Sequence, residues 1–325
     1  MLGQKILYLS RENVEELGFG MGDIIRAVEE AFRDKGTGNV EMPPKPGIHP
    51  SGDAFIHAMP AYLPNMSAAG IKWVSGYPEN FKRNLPYISG LIILNDLTTG
   101  VPISVMDATW VTAMRTGAAT AVAAKYLARP DSKVVGILGC GVQGRSNLEA
   151  LTTVMRDLEE VRAYDVSSSN LQRYVEEMSA KFGITVKAAN GPRDAVDGSD
   201  VVVTAGPILK HPTPLIEKSW VKNGVFACPI DFDSYWKPEA MHTMGKFCAD
   251  DVEQLNYYRS VGYFQDIPEV YADLGELVAG KKAGRENEEE RIMAMNLGVA
   301  IEDIAVAARI YDAARGKGSG QTLLL

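Results

Sequence analysis

The sequence is poor in the residues that build disulfide frameworks and metal sites. Its 325 residues include three cysteines, Cys140, Cys228 and Cys248, without a Cys-x-x-Cys pair, and four histidines without metal-ligand spacing. An odd number of isolated cysteines is typical of buried thiols in a reducing compartment, and zinc sites need clustered ligands. We therefore expect no disulfide, no metal site and a cytoplasmic location.

Basic runs and long apolar runs are lacking too. The formal net charge is −8, which argues against a nucleic-acid partner. No apolar run approaches the roughly 20 residues of a membrane-spanning helix, and the start of the sequence lacks the apolar core of a signal peptide. The hydrophobic content of 46% is that of an ordinary soluble protein, and the length allows two domains. We expect a soluble protein with no nucleic-acid or membrane partner.

The most informative stretch is a strand, a glycine-rich turn and a helix in direct succession. The apolar residues 133–138 lead into Gly139-Cys140-Gly141-Val142-Gln143-Gly144, and a helix follows to residue 151. Glycines at this spacing let the chain turn tightly, approach a pyrophosphate and pack a helix on a sheet. The pyrophosphate would lie at the helix N-terminus, where free N–H groups favour an anion. The pattern predicts a dinucleotide site.

An acidic residue follows the next predicted strand. That strand covers residues 161–164, and Asp165 at its end lies 21 residues past Gly144. A carboxylate there binds the two ribose hydroxyls and repels a 2′-phosphate, so the predicted cofactor is NAD rather than NADP.

Two regions differ in how strands and helices alternate. From residue 133 onward strands alternate with helices, as in a doubly wound parallel sheet, with strands predicted at 184–188, 200–204, 225–228 and 246–249. Earlier strands follow one another without helices, which indicates a separate antiparallel or mixed sheet; they are predicted at 54–60, 70–75, 88–95 and 102–106.

Helix signals surround these strands. Ser10 and Asp23 are predicted helix caps, and Gly36 ends the second helix. An alanine-rich helix is predicted at 117–128 and a long apolar one at 297–315, while the charge run 285–290 is interpreted as a solvated loop or helix start.

The predicted fold class is therefore α/β, with a Rossmann-type doubly wound parallel sheet and an N-terminal α+β domain for substrate binding and dimerisation. We place the N-terminal domain at residues 1–117 and the NAD-binding domain at 118–304. The C-terminal helix, residues 305–325, is expected to pack back on the N-terminal domain.

Five charged residues are candidates for chemistry. Dinucleotide binding without a metal suggests hydride transfer, which needs cations for an anionic substrate and an acid–base group. Lys45 lies between prolines, Lys72 lies in an apolar strand, and Arg115 lies at a junction. Each could hold a carboxylate, or form a surface ion pair. Asp231 and Asp233 follow a predicted parallel strand, where either could act as an acid–base group or merely cap a turn.

Eight short segments spread over nearly the whole chain form a joint pattern. They are Met42-Pro43-Pro44-Lys45, Met59-Pro60-Ala61-Tyr62-Leu63, Gly70-Ile71-Lys72-Trp73-Val74, Tyr77-Pro78-Glu79-Asn80, Thr99-Gly100-Val101-Pro102, Arg115-Thr116-Gly117-Ala118-Ala119, Gly139-Cys140-Gly141-Val142-Gln143 and Gly298-Val299-Ala300-Ile301-Glu302-Asp303. This pattern resembles the ornithine cyclodeaminase/mu-crystallin family. The resemblance implies a homodimer and an NAD-dependent oxidoreductase that transfers a hydride at the α-carbon of a small amino or imino acid, of the alanine dehydrogenase or imino-acid reductase type.

The resemblance also implies roles for single residues. Lys45, Lys72 and Arg115 match the cations that hold the substrate carboxylate, and Lys72 is in addition a catalytic candidate. His57 stands where ornithine cyclodeaminases carry a glutamate, and Asp231 replaces a small residue. Both are assigned to substrate binding.

The segment after residue 224 supplies the second catalytic candidate. Asp233, rather than Asp231, matches the family's catalytic aspartate, with Lys237 and Glu239 matching the Lys and Glu that follow it. Ser234-Tyr235-Trp236 replaces small and Pro-Gly residues, so a bulkier pocket is expected near Asp233. The residues assigned to the cofactor are Arg115, Gly139, Gly141, Val142, Gln143, Gly144, Asp165, Thr204, Ala205 and Asp233.

Two alternatives remain open. One is an ornithine cyclodeaminase-type ammonia lyase with tightly bound NAD, in which Asp231 could meet a cationic distal group of the substrate. The other is a non-catalytic, mu-crystallin-like protein that binds a small ligand and NAD(P).

Overall fold

The computed structural model describes residues 5–325. In chain order its strands are β1 (Lys5–Leu9), β2 (Gly47–Ile48), β3 (Phe55–Leu63), β4 (Ala68–Gly76), β5 (Ile88–Asn95), β6 (Pro102–Asp107), β7 (Val134–Leu138), β8 (Glu160–Tyr164), β9 (Thr185–Ala188), β10 (Val201–Thr204), β11 (Phe226–Pro229), β12 (Lys246–Ala249), β13 (Ala272–Asp273), β14 (Ile292–Met295) and β15 (Gln321–Leu324). Its α-helices are α1 (Arg11–Glu16), α2 (Met21–Gly36), α3 (Thr109–Leu127), α4 (Val142–Val154), α5 (Ser168–Phe182), α6 (Pro192–Val196), α7 (Pro238–Met241), α8 (Val252–Ser260), α9 (Leu274–Val278) and α10 (Ala300–Lys317). Two 3-10 helices cover Pro78–Arg83 and Lys218–Trp220.

The described chain divides into two compact units. The first contains residues 5–115 and Val299–Leu325, and the second contains Thr116–Gly298. The whole of α10 thus belongs to the first unit, whereas the sequence analysis placed that boundary between residues 304 and 305. Within residues 5–325, no helix has both the length and the apolar character that crossing a membrane requires.

The first unit contains a seven-stranded mixed sheet. The strand order is β15-β1-β6-β5-β4-β3-β2, in which β1 is parallel to β6 and the other neighbours are antiparallel. Helix α10 packs against β3, β4, β5 and α2. Alternate residues of β3, Met59, Ala61 and Leu63, are buried on one face, as expected for a sheet with one covered face.

The second unit contains eight parallel strands, which confirms the Rossmann-type sheet. Their order is β13-β12-β14-β11-β10-β7-β8-β9. Consecutive residues such as Val201, Val202 and Val203 are fully buried, because a parallel sheet is covered on both faces. Strand β10 pairs with β7 on the side opposite β8. The strand order therefore reverses between β7 and β10, the place where doubly wound sheets bind ligands.

Strand β14 was not predicted from the sequence, although it lies in the middle of this sheet between β11 and β12. It has only four residues and follows the charge run directly, without a helix in between. The usual alternation of helix and strand therefore gives no signal for it.

Two helix starts differ from expectation. Helix α2 begins at Met21 with Gly20 as its N-cap, and Asp23 accepts the Gly20 N–H from inside the helix at 3.1 Å. Helix α3 begins at Thr109, eight residues before the predicted start at 117. The carboxylate of Asp107 accepts the N–H of Thr109 at 3.0 Å, so the start signal precedes the alanine-rich stretch. Arg115 is consequently a helical residue.

Candidate functional site

The turn between β7 and α4 has the geometry that a pyrophosphate requires. Gly139 has φ +100°, and a Cβ there would lie 2.5 Å from the backbone oxygen of Ala205. A Cβ on Gly144 would collide with the Gly139 carbonyl oxygen. Gly141, the N-cap of α4, has open space where a Cβ would be. Packing therefore demands the first and third glycines, and the second leaves a ligand access to the helix N-terminus.

Asp165 holds this turn from the end of β8. One carboxylate oxygen accepts the N–H of Cys140 at 2.7 Å, and the other accepts the N–H of Ser167 at 2.8 Å. Arg145 of α4 also donates to the carbonyl of Cys140 and binds Glu177. The turn is thus fixed with a half-buried carboxylate beside it, an arrangement that fits a dinucleotide.

The remaining cofactor candidates of the second unit lie near this turn in the chain or on β10. Val142 is exposed at the start of α4, and the side-chain oxygen of Gln143 accepts a hydrogen bond from Ser146 at 3.3 Å. Thr204 ends β10 and is fully buried, while Ala205 is half-buried beside Gly139.

Asp231 is fully buried and connects two strand ends. Its Oδ1 accepts the hydroxyl of Thr204 at 2.7 Å, and its Oδ2 accepts the N–H of Gly206 at 2.9 Å. Burial raises the pKa of Asp231 to about 7, against these hydrogen bonds. The contacts give Asp231 a structural role at the end of β10, and its assignment to the substrate stays a prediction.

Asp233 lies in a different environment, although one residue separates it from Asp231. Phe232 between them has φ +60°, a left-handed conformation that is rare outside glycine. Oδ2 of Asp233 accepts the N–H of Phe264 at 3.0 Å. Burial raises the pKa of Asp233 while that hydrogen bond lowers it. A half-buried carboxyl group with a raised pKa is suited to proton transfer.

The residues that follow Asp233 are dispersed. Trp236 is fully buried in the hydrophobic core of the second unit, which corrects the expectation that its bulk fills a pocket near Asp233. Lys237 pairs with Glu217 at 2.8 Å, and Glu239 is exposed. These residues match one family pattern, but their side chains lie in different environments.

The first unit brings two of the predicted cations together with two carboxylates. Lys72 on β4 is fully buried, and its Nζ lies 2.7 Å from Oδ2 of Asp303 and 3.4 Å from the hydroxyl of Thr112. Arg115 places Nη1 2.5 Å from Oε2 of Glu302 and Nε 3.0 Å from Oδ1 of Asp303. Asp303 thus connects Lys72 with Arg115.

Burial and the repulsion between neighbouring cations change the pKa of Lys72 in this cluster. The pKa of Lys72 is lowered to about 7 by burial, by Arg115 and by Lys45, while Asp303 raises it. Lys45 is itself buried. A further negative charge beside Glu302 and Asp303 would stabilise the three crowded cations, so the cluster is suited to bind an anion.

His57 belongs to the same neighbourhood but carries no charge near neutral pH. Burial lowers its pKa to about 2, with further lowering by Lys45, His49 and Lys72. Its ring stacks on Phe55 with centroids 4.3 Å apart. His57 can therefore contribute a neutral hydrogen-bonding group and no charge.

Sequence reasoning gave no role to Glu302 and Asp303, although they belong to a segment that carries the family resemblance. Both are fully buried in the first turn of α10, where a helix favours negative charge. Two adjacent carboxylates inside the apolar run that opens α10 are the signal that could have identified them. Among residues 5–325, no three or more His, Cys, Asp or Glu side chains are grouped to hold a metal ion.

Known proteins resemble the chain over nearly its whole length. The ornithine cyclodeaminase/mu-crystallin family profile matches residues 4–318. The chain is 39% identical over 327 residues to an alanine dehydrogenase from Archaeoglobus fulgidus, with 98% of each covered. A solved Delta(1)-pyrroline-2-carboxylate reductase from Thermococcus litoralis, in complex with NADH and L-proline, has a TM-score of 0.88 at 35% identity and covers 97% of this chain and 99% of its own. An archaeal alanine dehydrogenase dimer with bound NAD has a TM-score of 0.86 at 37% identity, with 98% and 99% covered. This chain therefore belongs to the ornithine cyclodeaminase/mu-crystallin family.

Proposed function

We propose that the chain is an NAD-dependent oxidoreductase that transfers a hydride at the α-carbon of a small amino or imino acid. The observation that carries this proposal is the buried cation cluster around Lys72 and Arg115, in a chain that also has the dinucleotide turn. Relatives named alanine dehydrogenase and Delta(1)-pyrroline-2-carboxylate reductase, at 39% and 35% identity, support the same reaction class.

The cluster would hold the carboxylate of the substrate. Glu302 and Asp303 fix the guanidinium of Arg115, so little orientational freedom is lost when an anion binds. Lys45 and Lys72 add positive charge. With a pKa near 7, Lys72 can also donate or accept a proton at neutral pH.

Asp233 is assigned to proton transfer at the substrate nitrogen or at the attacking water. Bound NAD supplies the group that accepts or returns the hydride. As the α-carbon loses its hydrogen with the bonding pair, the amine becomes an iminium, and Asp233 takes the proton that the nitrogen or the water gives up. In the reverse direction the protonated Asp233 returns that proton, which its raised pKa favours.

The structure weakens the cyclodeaminase alternative. The sequence argument for it was that Asp231 could meet a cationic distal group of the substrate, whereas Asp231 is fully buried and both its oxygens accept hydrogen bonds from Thr204 and Gly206. Relatives named alanine dehydrogenase and Delta(1)-pyrroline-2-carboxylate reductase, at 39% and 35% identity, support catalysis over the non-catalytic alternative.

The test is turnover of a small panel of substrates. We expect steady NADH formation from L-alanine or L-proline, or NADH consumption with a 2-oxo acid plus ammonia or with a cyclic imino acid. Proline and ammonia from ornithine without net NADH would support the cyclodeaminase instead. The Asp233→Asn variant should lose at least about a hundredfold in kcat while still binding NADH, as expected for a lost acid–base group. Turnover within a few-fold of wild type would contradict the role of Asp233.

We also propose a cytoplasmic homodimer. The three cysteines are buried free thiols, as expected in a reducing compartment. Trp73 and Leu91 are paired in register on β4 and β5 and are 49% and 45% exposed. Such an apolar patch on a sheet face is typical of a protein interface.

A further inference from the structure

Tyr235 extends from its own strand to the end of the neighbouring one. It follows β11, and its carbonyl accepts the N–H groups of Leu215 and Ile216, both at 2.8 Å. Its ring lies against Gly206, just beyond β10, where a Cβ would be 2.5 Å from the Tyr235 hydroxyl oxygen. The missing side chain at position 206 therefore lets the phenol lie over the end of β10.

The end of β10 in turn contacts the glycine-rich turn. A Cβ on Gly139 would lie 2.5 Å from the Ala205 oxygen and 3.2 Å from the Gly206 nitrogen. These contacts are at the carboxyl ends of β7 and β10, where the strand order reverses and a ligand crevice is expected. Tyr235 is thus brought to the same crevice as the dinucleotide turn.

The hydroxyl of Tyr235 can donate a hydrogen bond to a ligand. The side chain is half-buried, and its hydroxyl oxygen lies at Gly206, just beyond the end of β10. Burial, Asp231 and Asp165 raise the pKa of Tyr235 to about 12, so the phenol keeps its proton at physiological pH. The influence of Asp165 agrees with a position on the ribose-binding side of the crevice. A protonated phenol donates one hydrogen bond, and ribose and phosphate oxygens are acceptors.

We propose that Tyr235 is a further NAD-binding residue, which donates a hydrogen bond to a ribose or phosphate oxygen in the adenosine half of the cofactor. This inference rests on NAD being the cofactor of the proposed function. In the segment Ser234-Tyr235-Trp236, Trp236 lies in the core, whereas Tyr235 packs on the edge of that core with its ring against Gly206. The contact is therefore a property of this chain, whose residues differ here from the small and Pro-Gly residues of the family pattern.

The experiment compares binding of NADH and of ADP-ribose, which lacks the nicotinamide. Dissociation constants are measured by isothermal titration calorimetry for wild type and for Tyr235→Phe, which keeps the ring and removes only the hydroxyl. Tyr257→Phe is the matched control, since Tyr257 is also a half-buried tyrosine of the second unit. We expect Tyr235→Phe to raise both dissociation constants about fivefold, the effect of one lost hydrogen bond. The control should leave both unchanged.

An unchanged dissociation constant for ADP-ribose overturns the proposal, even if NADH binds more weakly, because the contact would then lie outside the adenosine half. Tyr235→Leu also removes the ring, so it must raise the dissociation constant for ADP-ribose at least as much as Tyr235→Phe does. Thermal unfolding of each variant separates a lost contact from a damaged fold. If wild type binds neither ligand, NAD itself is excluded and the proposed function fails with this inference.

Discussion

At the scale of single residues, burial rather than residue type decides which charges are available for chemistry. His57 and Lys72 are both basic side chains on the covered face of the first unit's sheet. Burial makes His57 neutral and lowers the pKa of Lys72 to about 7. In the second unit, both carboxylate oxygens of Asp231 accept hydrogen bonds from the protein, whereas Asp233 is half-buried. The family resemblance favoured Asp233 over Asp231, but residue type and spacing alone could rank neither pair.

Lys72 should make substrate binding depend on pH. A carboxylate bound beside Lys72 favours its protonated form and raises its pKa above about 7. At pH 8, where the free enzyme holds Lys72 mostly neutral, binding must take up a proton, and affinity should fall as pH rises further. Calorimetric titration of L-alanine or pyruvate into the NAD(H)-loaded enzyme, in two buffers of different ionisation enthalpy, measures this uptake. Lys72→Arg stays charged and should abolish it. Equal uptake by both proteins would contradict the assignment.

At the scale of elements, side-chain contacts between residues far apart in the chain hold helix ends and strand ends in place. Asp303 at the start of α10 connects Lys72 of β4 with Arg115 of α3. The segment 285–290, predicted to be a loop or helix start, is a loop, but Arg285 inside it is half-buried. Its guanidinium donates to the carbonyls of Leu127, Val225 and Glu290 at 2.8, 3.1 and 2.6 Å. It therefore ties the end of α3 to the start of β11.

Removing Arg285 should destabilise the second unit. Arg285→Ala leaves three part-buried carbonyl groups without these donors, and we expect a loss of about 3 kcal/mol in the free energy of unfolding. Urea denaturation measures it. Arg173→Ala is the control, because Arg173 is exposed on α5 and donates only to residues of its own helix; its effect should stay within about 0.5 kcal/mol. Equal losses in the free energy of unfolding for the two variants would show that the hydrogen bonds of Arg285 do not stabilise the second unit.

At the scale of the whole molecule, the fold class could be predicted because it depends on the order of elements along the chain. The parallel sheet and the mixed sheet follow from alternating and from consecutive strands. The short strands β2 and β13 gave no usable pattern, since two residues carry no periodicity, and β14 was missed because it follows the charge run without a helix in between.

Homodimer formation is the prediction at this scale. Replacing Trp73 or Leu91 by Asp places a charge in the exposed apolar patch, and we expect the variant to become monomeric at micromolar concentration because an unpaired charge is costly to bury. Light scattering coupled to size-exclusion chromatography measures the mass. Leu97→Asp, which alters an exposed leucine in the turn after β5, should remain a dimer. A dimer that persists in both patch variants would exclude this face as the interface.

The dinucleotide turn was determined by the sequence itself, because its glycines, helix start and acidic partner lie within 27 consecutive residues and their chemistry is local. The surroundings of the predicted carboxylate-binding cations were not. Arg115 and Glu302 are 187 residues apart in the chain, and only folding shows that carboxylates fix the predicted cations. Tyr235 and Trp236 are neighbours in sequence, yet the ring of Tyr235 lies against Gly206 at the end of β10 and Trp236 is fully buried in the core. Burial and long-range contact arise from tertiary packing, so their effects on charge and on hydrogen bonding appear only in the folded chain.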